Sequence, residues 1–398
     1  MARKKKTKLD VVSIQTLRSE LNAKYGVGTA LSGTEVRDMK IEFFSTGNAA
    51  LDISLRGGFP YNRMVEVIGE ESACKTSQVH LASQEFLLAN PTGYVVHCDL
   101  ENSLDFAWMR RLKCDLNSQY LFVYADSGEQ AGDIVDDVIA DRTLPVLVII
   151  DSIMALCPMI EQESTMDSQF MGKQPQLVNR ILRVANSRLK AAKVGGCART
   201  SLILVNQTRP VIGGSPFQNP ITSSGGQGRK FFCSQRIVFT SQTSVGKEER
   251  GEGDNKHTLR IGKRVHFHVI KNKCGGPEET GHFLFYNRSY NTVPVGVDNA
   301  DALINGGLLF KVLVRQGNSI YYGKQKLGSS IEAAKIALRK DEELLVRLKR
   351  VIVSAAVEDF TGEPQNENEA STKSITRKNT GRKRRVTLCR KTPTSIRK

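Results

Sequence analysis

Short apolar segments alternate with amphipathic ones through the first half of the chain. Apolar runs typical of buried strands lie at 64–68, 94–99, 121–124, 146–150 and 201–206. Segments with apolar residues at helical spacing lie between them, at 76–89, 104–113, 128–140 and 174–193. This alternation predicts an α/β fold with a mainly parallel sheet that helices cover on both faces. Ligands of such sheets bind at the carboxyl ends of the strands.

The flanking segments have other patterns. Residues 9–26 carry a thin apolar stripe, which predicts an N-terminal helix that covers the core or contacts a neighbouring subunit, and the Gly/Ser/Thr-rich stretch 26–34 reads as a linker. Residues 233–289 predict antiparallel strands around a polar hairpin at 246–263. Residues 300–355 predict a small α+β unit. Its elements would be a helix at 300–304, two short strands around Gly317-Asn318 and one charged helix from Ser330 to about Ala356.

These patterns divide the chain of 398 residues into four parts. We predict an arm, an oligomerisation helix and a linker at 1–34, and an α/β core at 35–290. We predict a small α+β C-terminal domain at 291–360 and a disordered tail at 361–398, because the tail is polar and poor in aromatic residues.

Positive charge is concentrated at the two ends of the chain. The net charge is +16, the first eight residues hold five Lys and Arg without an acid, and residues 361–398 hold eleven Lys and Arg against three Glu. Basic arms of this kind typically bind nucleic acid. The alternative is a solvated tail that only aids solubility.

Cysteine usage and hydropathy predict a cytoplasmic location. The eight cysteines form no C-x-x-C pair, which favours a reducing compartment over a disulfide framework or a zinc module. No apolar run approaches the roughly 20 residues of a membrane span, so we expect no membrane partner. The start of the chain lacks the apolar centre of a signal peptide.

Residues 65–76, VEVIGEESACKT, have the strand–loop–helix context of a phosphate-binding loop. The loop amides and the helix N-terminus would bind the phosphates of ATP. Lys75 would reach the β- and γ-phosphates, and Thr76 would ligate Mg²⁺. An ordinary strand-to-helix turn is the alternative. The predicted loop contacts to ATP are Gly69, Glu70, Glu71, Ser72, Ala73, Cys74, Lys75, Thr76 and Ser77.

Cys74 departs from the G-x-x-x-x-G-K-[ST] pattern, because it occupies the second glycine position. A left-handed backbone there would cost roughly 1–2 kcal/mol for a residue with a side chain. A cysteine at a helix N-terminus tends to have a lowered pKa, which predicts an oxidation-sensitive ATP site.

Polar residues end three of the predicted strands. Asp151 is placed to hold Mg²⁺ through water behind the phosphate loop. Glu101 can polarise the water that attacks the γ-phosphate, although the acids at this tip can also simply cap the next helix. Gln207 can sense the γ-phosphate and order the loop that follows, at 209–230, or it is merely a polar strand end. That loop holds five glycines and three prolines, which is typical of a functional segment.

Several ordered motifs resemble the bacterial RecA recombinase family, over about three quarters of the chain. They are FSTGNAALD (44–52), GEESACKT (69–76), DLENSLD (99–105), IIDSIMAL (149–156), MDSQFMG (166–172), VNQTRP (205–210), QNPITSSGG (218–226) and VIKNK (269–273). The resemblance implies a RecA-like P-loop NTPase core that uses ATP and Mg²⁺. It implies a homo-oligomeric filament on single-stranded DNA that pairs with duplex DNA and exchanges strands in recombination and repair.

The resemblance also implies roles for individual residues. Glu101 matches the catalytic glutamate, and Gln207 matches the allosteric glutamine. Lys271 and Lys273 match lysines that reach the ATP of the neighbouring subunit. Trp108 matches the adenine contact, with a helix-core position as the alternative, and Asp105 is a further predicted contact to ATP.

Two DNA-binding loops are implied, at 160–172 and 209–230, and Phe231 matches a residue that relays between subunits. The N-terminal helix would pack on the adjacent protomer. The implied DNA contacts are Met171, Gly172, Arg183, Arg209, Phe217, Gly225 and Gly226.

Three departures from the family pattern indicate a divergent member, and a viral source is one interpretation. They are Cys74, the basic tail in place of an acidic one, and the longer hairpin at 246–263. Two alternatives remain open: a filament protein clamped by ATP with little hydrolysis, and a hexameric helicase-type motor. The motifs at 218–226 and 271–273 favour the filament, and Glu101 favours hydrolysis. Loader proteins and a cleavable repressor are further partners that the resemblance leaves open.

Overall fold

A computed structural model gives the fold of this protein. It describes residues 11–37, 40–141, 143–165, 170, 172–194, 199–210, 221–223, 226, 228–250, 257–290 and 292–362. Within these ranges, no helix combines the length and the apolar character needed to cross a membrane. The predicted tail at 361–398 lies outside the described residues from residue 363 onward.

The N-terminal segment folds into short elements ahead of the main sheet. They are α1 (Val11–Tyr25), α2 (Gly33–Arg37), β1 (Phe43–Phe44), α3 (Ala49–Leu55) and β2 (Phe59–Pro60). The helix predicted at 9–26 is confirmed by α1, and the predicted linker ends where α2 begins. The side chain of Asn48 caps α3 by accepting a hydrogen bond from the amide of Ala50.

The strands and helices predicted for the core all form, with ends within a few residues of the prediction. In chain order they are β3 (Met64–Gly69), α4 (Lys75–Ala89), β4 (Tyr94–Asp99), α5 (Phe106–Arg111), β5 (Tyr120–Val123), α6 (Gly128–Ala140), β6 (Val146–Asp151), α7 (Met159–Gln162), α8 (Lys173–Val194) and β7 (Thr200–Pro210). Every residue of β3 and of β6 is buried, as expected for strands covered on both faces.

The segment from 209 to 289 forms more regular structure than the sequence predicts. It contains β8 (Ile221–Ser223), α9 (Gly228–Phe232), β9 (Gln235–Arg250), β10 (His257–Asn272) and β11 (Thr280–Tyr286). The expectation of one continuous loop at 209–230 is therefore wrong at its edges, because Arg209 pairs with Thr222 between β7 and β8. The hairpin predicted at 246–263 is mostly paired strand, since β9 and β10 are in register up to Arg250 and His257.

Ten of the described strands, including β12 (Gly296–Val297), form one mixed sheet. Its order is β12-β11-β10-β9-β3-β7-β6-β4-β5, and β8 pairs with β7. The strands from β9 to β5 in this order are parallel, whereas β10, β11 and β12 add antiparallel strands at one edge. The predicted α/β fold with a mainly parallel sheet is confirmed.

Helices cover both faces of the parallel strands. On one face α4 packs Val79, Ala82 and Phe86 against the sheet. On the other face α6 and α8 pack together, with Val135 and Leu182 in a shared apolar cluster. The buried polar side chains inside these strands include Glu66 of β3, His97 of β4 and Asn206 of β7.

The C-terminal elements are α10 (Asn299–Leu309), β13 (Leu313–Gln316), β14 (Ser319–Tyr322), β15 (Gln325–Gly328), α11 (Ile331–Lys340) and α12 (Glu342–Thr361). The sequence predicts two strands and one long helix here; the structure adds β15 and divides the helix. The division lies at Asp341, whose side chain caps α12 through the amide of Leu344 at 2.9 Å. Lys349 of α12 also pairs with Asp52 of α3 at 2.7 Å.

Candidate nucleotide site

The strand register brings the predicted site residues to one edge of the sheet. Gly69 of β3 lies opposite Gln207 of β7, and Asp99 of β4 lies opposite Asp151 of β6. The loop that follows β3 therefore has three polar strand ends beside it. This is the carboxyl edge of the parallel strands, where α/β proteins bind their ligands.

The loop between β3 and α4 has the backbone that the sequence predicts. Cys74 is left-handed, with φ of 66°, and so is Ser72, with φ of 59°. The Cys74 carbonyl accepts the hydrogen bond of the Gln78 amide at 2.9 Å and so starts α4. The loop amides and the first turn of α4 together form a cradle suited to an anion.

The predicted lowering of the Cys74 pKa is wrong. The side chain is only 8 % exposed. Burial raises the pKa of the thiol to about 11, and the nearby ammonium groups of Lys263 and Lys75 only partly oppose this. Because the reactive species is the thiolate, the predicted oxidation-sensitive site loses its physical basis.

Lys75 lies at the start of α4 and is largely buried. Its Nζ donates to the carbonyl of Glu70 at 2.6 Å, within the loop itself. Burial lowers the pKa of Lys75, while Asp151, Glu101 and Glu71 raise it. The ammonium group is thus held beside the cradle by a neutral acceptor and by nearby carboxylates.

Thr76 and Asp151 form the predicted metal position. The Thr76 hydroxyl donates to Oδ2 of Asp151 at 2.7 Å. The pKa of Asp151 is raised to about 6, mainly by burial and also by Glu101 and Asp99, while Thr76 and Lys75 oppose the shift. A hydroxyl and a carboxylate oxygen at this spacing are the hard donors that Mg²⁺ takes from a protein when phosphates and water supply the rest. The residues therefore fit Mg²⁺.

Glu101 and Gln207 contact each other directly. Nε2 of Gln207 donates to Oε1 of Glu101 at 3.1 Å, and the Ser152 hydroxyl donates to the same oxygen. Of the other two acids at this tip, Asp105 caps α5 by accepting from the amide of Trp108 at 3.0 Å, and Asp99 accepts from the loop amides of Ser103 and Leu104. Helix capping thus describes Asp105, whereas Glu101 is bonded across strands to Gln207.

Trp108 lies against the helix that follows the phosphate loop. Its Nε1 donates to the Ser77 hydroxyl at 3.0 Å, and its ring is 6.2 Å from that of Phe285. The side chain is partly buried at the edge of the core. Both sequence interpretations, an adenine contact and a core residue, stay compatible with this position.

The other interface candidates lie apart from the phosphate loop of the same chain. Lys271 is in register with Arg236 on β9, and its Nζ donates to the carbonyls of Lys230 and Phe231 at 2.5 and 3.1 Å. Phe231 is 74 % exposed. The amide of Lys273 donates to the carbonyl of Ser234. Their predicted role toward a neighbouring subunit stays a prediction.

Of the described DNA candidates, Arg183 lines a cavity of about 780 Å³ beside α8 and α9. Arg180 and Lys173 also line it. Gly172 and Gly226 are both left-handed, with φ of 83° and 76°. The side chain of Arg209 and the residues Met171, Phe217 and Gly225 lie outside what the structure describes.

Glu66 is a site residue that sequence reasoning does not find, although its position in an apolar strand is a visible signal. Its carboxylate is fully buried and accepts from Asn206 at 2.7 Å, from Arg236 at 2.6 Å and from Arg229 at 3.2 Å. Asn206 in turn accepts from the amide of Gln207 at 2.8 Å. The strand of the phosphate loop is thus bonded to the Gln207 strand end and to α9.

The fold and these contacts define the class of P-loop α/β proteins with a mixed, mainly parallel sheet. Comparison with known families refines this class. Residues 13–289 match the RecA N-terminal domain. The chain is 30% identical to protein RecA of Mycoplasma mobile over 344 residues, which cover 86% of this chain and 96% of that protein.

Two further relatives have the same name and match a similar share of the chain. Protein RecA of Aquifex pyrophilus is 31% identical over 91% of this chain and 96% of its own length. Protein RecA of Desulforapulum autotrophicum is 30% identical over 85% of this chain and 90% of its own length. The chain belongs to the RecA family of recombinases, which act in DNA recombination and repair, and at these identities it is a divergent member.

Proposed function

We propose that the protein is a DNA-dependent ATPase that assembles as a filament on single-stranded DNA and drives homologous pairing and strand exchange. The observation that carries the proposal is the contact between Gln207 and Glu101 beside the phosphate loop. It joins the candidate catalytic carboxylate to the strand that leads into a candidate DNA-binding segment.

In this proposal the ATP phosphates lie in the cradle of loop 69–74, and Lys75 exchanges its bond to the Glu70 carbonyl for the β- and γ-phosphates. Thr76 and Asp151 would hold Mg²⁺, which would supply positive charge beside the phosphates. Glu101, oriented by Ser152 and Gln207, accepts a proton from the attacking water.

Gln207 also provides the link to DNA. When the γ-phosphate attracts its amide group, the bond to Glu101 changes, and the change is passed along β7 toward Arg209 and the residues beyond. ATP would thereby order the DNA-binding segment, and bound DNA would favour the hydrolytic arrangement by the same coupling. The lysines at 271 and 273 would complete the ATP site of the adjacent subunit.

The alternative of an ATP clamp with little turnover rests on Cys74, because a side chain at that position narrows the cradle. The bonded Glu101 argues against it, since a clamp has no need of an oriented carboxylate.

The test is Lys75→Ala. We expect it to abolish ATP-dependent binding to single-stranded DNA, measured by fluorescence anisotropy with and without ATP and Mg²⁺. Filaments imaged by electron microscopy should be lost in parallel. Undiminished ATP turnover by the variant would refute the assigned site.

A further inference from the structure

We propose that Lys263, on β10, is a positioning residue of the phosphate loop that compensates for the cysteine at the second glycine position. The inference rests on the proposed ATP-binding function and adds a residue to that site. Lys263 is 187 positions or more from every residue of the loop, so the fold alone brings them together.

Lys263 contacts the loop from the antiparallel side of the sheet. Its partner on β9 is Ser244, next to a register shift between Lys263 and Val265. Its ammonium group donates to the carbonyl of Ser72. The side chain of Lys263 is partly buried.

The same ammonium group lies close enough to Cys74 to favour the charged form of its thiol. Ser72 and Cys74 are the two loop residues with positive φ, at 59° and 66°. This conformation is unfavourable for residues with a side chain. One cation therefore lies beside both strained positions of the loop.

The contact has a direct consequence for phosphate binding. A carbonyl and the following amide share one rigid plane, so fixing the Ser72 carbonyl also fixes the Ala73 amide. That amide belongs to the cradle, and it otherwise makes only a long bond of 3.3 Å to the Glu70 carbonyl. Charge-assisted hydrogen bonds are among the stronger single contacts in proteins. Lys263 thus holds in place a loop conformation that glycine would adopt without help.

Lys263 and Lys75 act on different parts of the loop. Lys75 bonds to the Glu70 carbonyl at the start of the loop, whereas Lys263 bonds to Ser72 at its middle. Lys75 is expected to move to the phosphates when ATP binds. Lys263 is expected to stay on the loop in both states.

The test compares ATP binding and turnover in Lys263→Met, Lys263→Arg, Cys74→Gly and the double variant Cys74→Gly/Lys263→Met. Equilibrium binding is measured by calorimetry with ATP and Mg²⁺, and steady-state turnover is measured on single-stranded DNA. Arg264→Met is the matched control, because Arg264 is exposed on the same strand and acts on His282 rather than on the loop.

We expect Lys263→Met to raise both the Kd and the KM for ATP by about tenfold, the effect of losing one charged hydrogen bond. The kcat should stay within about twofold, Lys263→Arg should recover most of the affinity, and Arg264→Met should behave as wild type. In the Cys74→Gly background, Lys263→Met should lower the affinity for ATP by only about threefold or less, because glycine removes the strain at position 74.

Wild-type affinity in Lys263→Met with the fold intact by thermal unfolding would overturn the inference and leave the proposed function standing. If Lys263→Met lowered the affinity for ATP as much in the Cys74→Gly background as in the wild type, the inference that Lys263 compensates for Cys74 would be wrong. A wild-type protein that does not bind ATP would instead overturn the proposed function, and this inference with it.

Discussion

The Asp151 carboxyl, a candidate ligand of Mg²⁺, has an unusual electrostatic environment. It lies in the interior at the end of β6, and the Thr76 hydroxyl is its hydrogen-bond donor. Burial, Glu101 and Asp99 together hold its pKa at about 6, well above the ordinary 3.8. A charge that is unfavourable in the empty site becomes favourable once a divalent cation is present.

The sign of the resulting pH dependence follows from proton linkage. A carboxyl whose pKa is raised by folding contributes stability below the unfolded pKa of about 4, and this contribution is lost as the pH rises through about 6. At pH 7.5 the buried charge should therefore cost about 3 kcal/mol of unfolding free energy in the metal-free protein.

We expect Asp151→Asn to stabilise the protein without nucleotide and Mg²⁺ by about 2–3 kcal/mol at pH 7.5 and by about 1 kcal/mol at pH 4.5. Urea unfolding at the two pH values measures this. The same variant should lose ATP hydrolysis. A stabilisation that is equal at both pH values would contradict the pKa assignment.

At the scale of residues, the sequence predicts which polar residues lie together better than it predicts their electrostatics. The order of motifs is enough to single out Lys75, Thr76, Glu101 and Asp151 as candidates, and the left-handed backbone of Cys74 follows from the loop pattern. The thiol pKa cannot be predicted in this way, because it depends on burial by the surrounding core. Lys263 cannot be predicted from the sequence, because its contact with the phosphate loop depends on a strand that is distant along the chain.

Buried polar contacts tie the elements around the phosphate loop to one another. Glu66 on β3 bonds to Arg236 on β9, to Arg229 on α9 and to Asn206 on β7. Such a cluster resists separation of these elements, because any gap would leave a charge in the interior without compensation. It therefore fixes β3 relative to the strand end that carries Gln207.

This arrangement predicts unequal effects of removing its members. Glu66→Gln should lower the unfolding free energy by about 3–5 kcal/mol, since two buried guanidinium groups lose their carboxylate. Arg229→Met should cost clearly less, because Glu66 and Arg236 remain as a balanced pair. Arg188→Met, which breaks the exposed pair with Asp136, should cost about 1 kcal/mol or less.

The unfolding free energies of the three variants, measured with denaturant, test this ranking. The account of the cluster would be wrong if Glu66→Gln proved no more destabilising than Arg188→Met.

At the scale of elements, hydrophobic patterning predicts the parallel strands well because each is apolar throughout and buried on both faces. It fails where a local polar contact changes the element. The cap by Asp341 divides a helix that the pattern joins, and β8 pairs with β7 within a segment that the composition marks as loop. Neither contact produces a periodic pattern of hydrophobic residues from which it could be predicted.

The whole molecule combines a nearly neutral body with strongly basic ends. The described fold ends with α12 at Thr361, and residues 361–398 hold eleven Lys and Arg against three Glu. Lys and Arg that contact phosphates release counterions, so they make DNA affinity depend steeply on salt. The tail is thus expected to promote binding to duplex DNA.

Truncation after Gly362 tests this expectation, because it removes the basic segment and leaves α12 complete. The slope of log K against log salt for duplex binding should flatten by about 0.9 for each DNA phosphate that the tail neutralises in the full chain. Replacing the same lysines and arginines by glutamine in the full chain is the control for length. An unchanged slope would show that the tail does not contact DNA.

The central claim is that the protein hydrolyses ATP in response to DNA although its phosphate loop contains Cys74. In this claim Glu101, oriented by Gln207, accepts the proton of the attacking water. The most direct measurement is the ATP turnover of the purified protein with and without single-stranded DNA, for wild type and for Glu101→Gln. The account predicts turnover that DNA stimulates strongly and that the variant loses by a factor of about 100 or more. If the wild type shows no DNA-stimulated turnover, yet forms ATP-dependent filaments on DNA, the claim is contradicted and the protein is an ATP clamp.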